Sequence, residues 1–366
     1  MAVPRGKKFE EITFNHESPE VDRELEELLK KHKARIKVVG VGGSGGNTIS
    51  RMRDVGITGA ELIAVNTDAQ DLLYSSADAK ILIGKELTQG LGAGSNPQVG
   101  EESAKESEHE IKEKLIGADM VFITCGLGGG TGSGAAPVVA DVAKKLGALT
   151  IAVVTFPFSI EGQKRYENAA NSLEKLESTV DTLIVIPNDK LLELVPELPL
   201  HTAFKVADEI LTNAVKGTTE LVTKAGLVNL DFADIKAVMM GGGVSLIGLG
   251  ESDSNNRALE AVEKAIENPL LDVDITNATG ALVNIIGGPD LSLDEAKKII
   301  QTVGSKLSPS AKMIWGAQIS EDMDKSLKVM LIVTGVKSPQ ILGHDETSVD
   351  RRKQELKDEL GIDFIE

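Results

Sequence analysis

From residue 35 onward the chain alternates between two rhythms. RIKVV (35–39), ELIAV (61–65), KILI (80–83), MVFIT (120–124), LTIAVV (149–154) and TLIVI (182–186) are short apolar runs that read as buried strands. Between most of them, near 46–54, 98–116, 134–146 and 161–178, apolar positions recur at helical spacing. Such alternation predicts an α/β fold, a mainly parallel sheet with helices on both faces. Ligands of such sheets bind outside the carboxyl ends of the strands. A long helix follows at about 202–225, with Val206, Ile210, Leu211, Ala214, Val215, Leu221 and Val222 near a 3.6-residue period and Gly226 as a stop. Beyond it, a helix (231–239), a strand (243–249), a helix (257–267), a strand (280–287), a helix (292–305) and two strands (312–319, 326–335) predict a smaller mixed α/β domain. Ahead of it all, Val21, Leu25, Leu28 and Leu29 mark a helix over 20–33, with Ser18 as a cap and Pro19 near its first position. The expected division is a 1–34 extension, a 35–201 domain, a 202–228 central helix, a 229–338 domain and a 339–366 tail.

Composition narrows the function classes. The formal charge of −17 argues against general affinity for nucleic acid or anionic lipid, whose phosphates need a positive surface. The single cysteine, Cys125, excludes an intramolecular disulfide and a cysteine-cluster metal site, and reads as a small core residue. His16, His32, His109, His201 and His344 form no ligand pair at helical spacing, so no protein metal centre is expected. Neither a signal peptide nor a membrane-spanning run is visible, and a cytoplasmic protein is expected.

Glycine carries the chemistry. VVGVGGSGGNT follows the first strand and opens a helix, with Gly40, Gly42 and Gly45 at G-x-G-x-x-G spacing. Alone that fits a dinucleotide site, a mononucleotide site or a tight turn. A second loop, CGLGGGTGSGAAP, follows MVFIT, and so many glycines make sense where several N–H groups wrap an anion. Thr131 and Ser133 can add hydroxyl donors. With GLGAGSNPQVG (90–100), three such loops on one sheet edge suggest a polyphosphate cradle. No loop ends in the Lys–Ser/Thr of a Walker A motif, so backbone dipoles and Mg²⁺ are expected to neutralise the phosphates. A nicotinamide dinucleotide enzyme using the first loop and Asp68 is the alternative; it leaves the second loop unexplained.

GGGTGSG resembles the signature loop of the tubulin and FtsZ superfamily, with serine where threonine often stands. The likeness extends over about 35–336 through GVGGSGGN (40–47), NTD (66–68), GAGSNP (92–97), FPFSIEGQKR (156–165) and NLDFAD (229–234), and it is most specific to FtsZ. The extra N-terminal helix and the lack of a long linker before GIDFIE fit an archaeal-type member. The resemblance implies a tubulin/FtsZ-like fold, a nucleotide-binding domain joined by a central helix to a smaller domain. It also implies GTP and GDP as ligands.

Residue by residue, it implies phosphate contacts at Gly42, Gly43, Ser44, Gly45, Gly46 and Asn47, and at Gly128, Gly129, Gly130, Thr131 and Gly132. Glu161 and Arg165 match ribose and nucleotide contacts; their spacing puts them on one helix face, where a surface ion pair is the other account. Asn188 matches a base contact and Phe204 a stacking residue. Asp208 matches the carboxylate that accepts from the guanine N1–H and 2-amino groups, donors that adenine does not offer together. Ala207 stands where the family often has asparagine. Asn229, Asp231 and Asp234 match a catalytic loop, with the two acids paired at i, i+3; a helix cap is the plainer account of the pair.

About 18 helical residues at ~1.5 Å each separate Asp208 from Gly226, roughly 27 Å. The acids should therefore lie beyond reach of nucleotide in the same chain. Head-to-tail stacking, in which one subunit caps the nucleotide of the next, would complete the site and build a filament of the division ring. GIDFIE then reads as a docking peptide for a membrane adaptor, or as a frayed end. An oxidoreductase and a scaffold holding nucleotide without turnover are the competing classes.

Overall fold

A computed structural model describes residues 34–194, 199–224, 227–228, 230–271 and 275–336. The expected helix over 20–33, Gly226, Asn229 and the tail from 339 lie outside the described residues. The apolar runs pair as β1 (Ile36–Val41), β2 (Ala60–Asn66), β3 (Ala79–Leu82), β4 (Met120–Gly126), β5 (Leu149–Phe156) and β6 (Thr182–Pro187). Four more strands follow: β7 (Gly243–Ser252), β8 (Gly280–Gly287), β9 (Lys312–Ile319) and β10 (Leu327–Thr334). They form one sheet in the order β3-β2-β1-β4-β5-β6-β7-β10-β8-β9. Only β10 runs against its neighbours, pairing antiparallel with β7 and β8.

Helices α1 (Gly42–Asp54) and α6 (Thr131–Lys145) follow β1 and β4, with α2 (Ala69–Tyr74), α3 (Lys85–Thr88), α4 (Pro97–Glu106) and α5 (Glu108–Leu115) between them. Then come α7 (Gln163–Thr179), α8 (Asn188–Leu194), the long α9 (Leu200–Thr223), α10 (Phe232–Met239), α11 (Arg257–Ile266) and α12 (Leu293–Lys306). The chain leaves β1 toward β2 on one side and reaches β4 on the other. Parallel strands are joined by right-handed crossovers, so connections leaving in opposite directions put a crevice at the carboxyl ends of β1 and β4.

The helix expected over 98–116 is two helices. Ser107 ends α4 with φ −101° and ψ 18°, and its hydroxyl accepts the Gly84 N–H at 3.2 Å. The helix expected from 161 starts at Gln163, because Gly162, at φ +99°, breaks the backbone between a 3-10 turn (Ser159–Glu161) and α7. Glu161 and Arg165 therefore do not share a helix. Burial pushes the Cys125 thiol up to about 12, consistent with a core position. In the second half, the buried Arg257 reaches Glu295 at 2.7 Å and Asp290 at 2.9 Å, tying α11 to α12. Its hydrogen bonds hold the Glu295 carboxyl down at about 2.

Candidate functional site

The crevice holds a cavity of about 320 Å³. Its floor is the β1–α1 junction (Val41, Gly42, Gly43, Ser44, Asn47) and the β4–α6 loop (Gly126, Leu127, Gly129, Gly130, Thr131, Gly132). Its walls are Thr155, Pro157, Glu161, Arg165 and Asn188, with Phe204, Ala207 and Asp208 from α9. Neither α1 nor α6 has a side-chain N-cap, and neither carries an acid in its first turn. Two helix N-termini thus present backbone N–H groups and partial positive charge to one space, which favours an anion.

Glycine is required where the loops touch. Gly42 has φ +74°, and a Cβ on it would stand 2.9 Å from the Gly132 nitrogen. A Cβ on Gly130 would stand 2.9 Å from the Asn96 nitrogen and from Ala93 Cβ. The third glycine loop therefore braces Gly130 from behind and does not itself line the cavity, a correction to the three-sided cradle. The Thr131 hydroxyl lies 2.6 Å from that of Thr67. Ser133 does not line the cavity either; its buried hydroxyl accepts the Gly128 N–H at 2.8 Å.

The other end of the cavity is suited to a base. The Asp208 carboxylate accepts from the Thr48 hydroxyl at 3.0 Å. Burial pushes its pKa up to about 6, opposed by that hydrogen bond and by the charge of Arg51. Asn188 is buried, and its Oδ1 has no hydrogen-bond partner in the protein. A ligand donor would relieve the cost of that orphaned acceptor. Phe204 is 40 % exposed and packs edge-on against Phe158 at 5.2 Å, which leaves ring surface toward the cavity. Arg165 donates to Glu161 Oε2 at 2.7 Å, while Glu161 Oε1 accepts the Phe158 N–H at 2.9 Å. The ion pair and a place in the cavity wall are both found.

Of the expected nucleotide contacts, Gly45, Gly46 and Gly128 do not line the cavity. A Cβ on Gly45 would lie 2.7 Å from the Thr124 carbonyl oxygen, and one on Gly46 would lie 2.8 Å from Ser75 Oγ. These glycines let α1 approach its neighbours closely. Gly128, at φ +101°, turns the loop against Arg165. Thr155, Pro157 and Leu127 were missed, since nothing in their residue types marks them. Asp68 caps α2, accepting from the Gln70 and Asp71 nitrogens at 2.9 and 3.0 Å, and does not line the cavity. This removes the acidic partner that a dinucleotide reading needs.

Asp231 and Asp234 are elsewhere. No described residue from 209 to 239 lines the cavity. From Asp208 to Thr223, α9 rises through 15 residue steps, about 22 Å at the helical rise. The C-terminal part of α10 sits at the opposite strand ends: Met239 accepts from Thr182, the first residue of β6. Its Lys236 also acts on Asp119, just before β4; burial raises that carboxyl, but hydrogen bonds from Arg35 and the charge of Lys236 lower it overall. Asp231 is the N-cap of α10, one residue outside the helix, so the two acids do not share a helix face as expected. They form a reciprocal box: Asp231 Oδ1 accepts the Asp234 N–H at 2.8 Å, and Asp234 Oδ2 accepts the Asp231 N–H at 3.3 Å. Both are exposed, and one oxygen of each remains outside the box.

The match to known proteins follows this geometry. Residues 35–196 match the GTPase domain of the Tubulin/FtsZ family, and residues 243–337 match the C-terminal domain of the FtsZ family. The chain belongs to the FtsZ family. A "Cell division protein FtsZ 1" of Thermococcus kodakarensis is 63 % identical over 327 residues, 89 % of this chain and 87 % of that one. A "Cell division protein FtsZ" of Methanothermobacter thermautotrophicus is 55 % identical, covering 100 % of this chain and 97 % of its own. An empty FtsZ dimer of M. jannaschii superposes with a TM-score of 0.83 at 59 % identity, over 87 % of this chain and 92 % of that one. The tubulin/FtsZ fold expected from the signature loops, and the archaeal-type FtsZ expected from the extra N-terminal segment and the lack of a long linker, are the ones found.

Proposed function

We propose that this chain is a GTPase of the cell-division cytoskeleton that polymerises head to tail, and that each GTP is hydrolysed where two subunits meet. The observation that carries the reading is separation. The anion-binding helix ends and the base pocket lie together, while the exposed acid pair lies about 22 Å or more of helix away. An acid or base must stand within hydrogen-bond reach of the proton that it moves. Stacking the α10 end of one subunit on the cavity of the next brings the two together.

In that arrangement the α1 and α6 N-termini cradle the phosphates. Asp208 accepts from the guanine N1–H and 2-amino groups, Asn188 meets the base edge, Phe204 stacks, and Glu161 with Arg165 flanks the sugar. Asp231 and Asp234 of the neighbour orient and polarise water toward the γ-phosphate through the oxygens that the box leaves over, and Asn229, matched to the same loop by sequence, is assigned to this set. Losing that phosphate weakens the contact and couples turnover to disassembly.

Among the described residues no three metal-ligating side chains cluster; Mg²⁺ brought in with the nucleotide would be held mainly by phosphate and water. Asp71 lies behind the first loop, outside the cavity lining: a Cβ on Gly43 would lie 2.8 Å from its Oδ2. Bound with the nucleotide, the ion would neutralise phosphate charge. Among the described residues no helix is long and apolar enough to cross a membrane. We assign this protein to the cytoplasm, at the division ring, docked to a membrane adaptor through residues 361–366.

Complementation tests the reading. Asp231→Asn keeps a nucleotide site but lacks the acid; Gly130→Trp keeps the acid but lacks the site. Each alone should hydrolyse GTP poorly, and a mixture should recover turnover. A co-assembled mixture that stays inactive would refute action across the interface.

A further inference from the structure

Thr48 has no part in the function so far. It is fully buried on α1, one turn after Ser44. Its hydroxyl lies 3.0 Å from the Ser44 carbonyl oxygen and 3.0 Å from Asp208 Oδ1 on α9, 160 residues along the chain. A hydroxyl has one proton and serves one acceptor at a time. The Ser44 carbonyl has the ordinary helical N–H partner available, while an ionised carboxylate is the stronger acceptor. The Thr48 proton therefore belongs to Asp208 whenever Asp208 is charged. Thr48 is fully buried, so water does not readily take over the task.

We propose that Thr48 is a positioning residue for base recognition: its hydroxyl fixes the Asp208 carboxylate in place and holds it as an acceptor, linking the phosphate-binding helix to the base pocket. This rests on the guanine reading of Asp208. With Oδ1 engaged by Thr48, Oδ2 and the remaining lone pair of Oδ1 face the two guanine donors. A protonated Asp208 would present an O–H where guanine also presents N–H, and recognition would fail. Burial drives the carboxyl toward that neutral form, and the Thr48 hydrogen bond is the larger of the two effects opposing it. Arg51, on the same helix as Thr48, is the other; Glu209, next to Asp208, draws on that charge at 3.6 Å. Across the cavity the charged neighbours are Glu161 and Arg165, already paired with each other.

The test is equilibrium binding of GDP to the full chain between about pH 5 and pH 8, GDP being chosen so that polymerisation does not intrude. Wild type should bind GDP, with affinity falling on the acid side. Thr48→Val, which keeps the shape, should weaken binding at neutral pH by about ten- to a hundredfold. Its acid-side midpoint should move up by about one pH unit. Thr48→Ser should restore both. In an Asp208→Asn background, Thr48→Val should add no further loss. A Thr48→Val protein with wild-type affinity and midpoint, or with an equal loss at every pH, would overturn the positioning role while leaving the guanine reading standing. Wild type that fails to bind GDP would overturn both.

Discussion

The N-termini of α6 and α10 are built in opposite ways. Gly130 leads into α6 with no capping side chain and no acid in the first turn. Asp231 and Asp234 close the start of α10 on both sides. An unclosed helix end in a crevice leaves donors for a ligand, whereas a closed one is satisfied by its own sequence. The acids of α10 are thus structural and still chemically available, since each keeps one outward oxygen. The proposed function divides binding and hydrolysis between these two ends, so each should be alterable without the other.

The largest effects should come from breaking either end. Gly130→Ala forces a Cβ toward the Asn96 backbone and displaces the loop. Losing two charge-assisted phosphate contacts should weaken GDP binding by about 10²- to 10⁴-fold, measured by titration. Asp231→Asn keeps an N-cap acceptor but removes the charge. GTP hydrolysis should fall by about 10²- to 10⁴-fold, with GTP binding intact and unfolding free energy within about 0.5 kcal/mol of wild type. Asp231→Ala should lose the same activity and also about 1 kcal/mol of stability in a denaturant titration. Equal stability of the two variants would mean that the box contributes nothing to the fold.

A smaller effect comes from the base pocket. On the proposed reading guanine needs the ionised form of Asp208, whose pKa burial pushes up to about 6. GDP affinity should therefore fall by up to about tenfold per pH unit below that point, and Asp208→Asn should flatten the profile. For the empty protein the sign reverses. A raised carboxyl pKa favours the fold at low pH, and that contribution is lost as pH rises through 6. The smallest effect on activity should come from Glu295→Gln, remote from both ends. It weakens a half-buried pair while Asp290 still faces Arg257, and should cost about 1–2 kcal/mol, with turnover per folded molecule unchanged. Here the stability is present above the ordinary glutamate range and lost as pH falls toward 2.

Much of this was legible in the sequence because apolar runs mark strands; β8, buried along nearly its whole length, coincides with the expected 280–287, and the half-buried edge strand β9 with 312–319. The run in β4 ends at Thr124, yet pairing continues to Gly126, because ladder hydrogen bonds do not need apolar side chains. Helices α2, α3 and α8, with 6, 4 and 7 residues, are too short to show a period. Glycine composition marked both uncapped helix ends but could not separate Gly130, which lines the cavity, from Gly45, which packs α1 against the sheet. The bond from Thr48 to Asp208 had no local signal. It exists because the fold brings α1 and α9 together, and no spacing rule reaches across 160 residues.

The most direct test of the divided site is phosphate release per subunit, measured against protein concentration with GTP. The expected result is negligible turnover in a dilute monomeric solution and a rise above an assembly threshold seen in parallel by light scattering. Full-rate hydrolysis by demonstrable monomers would contradict it.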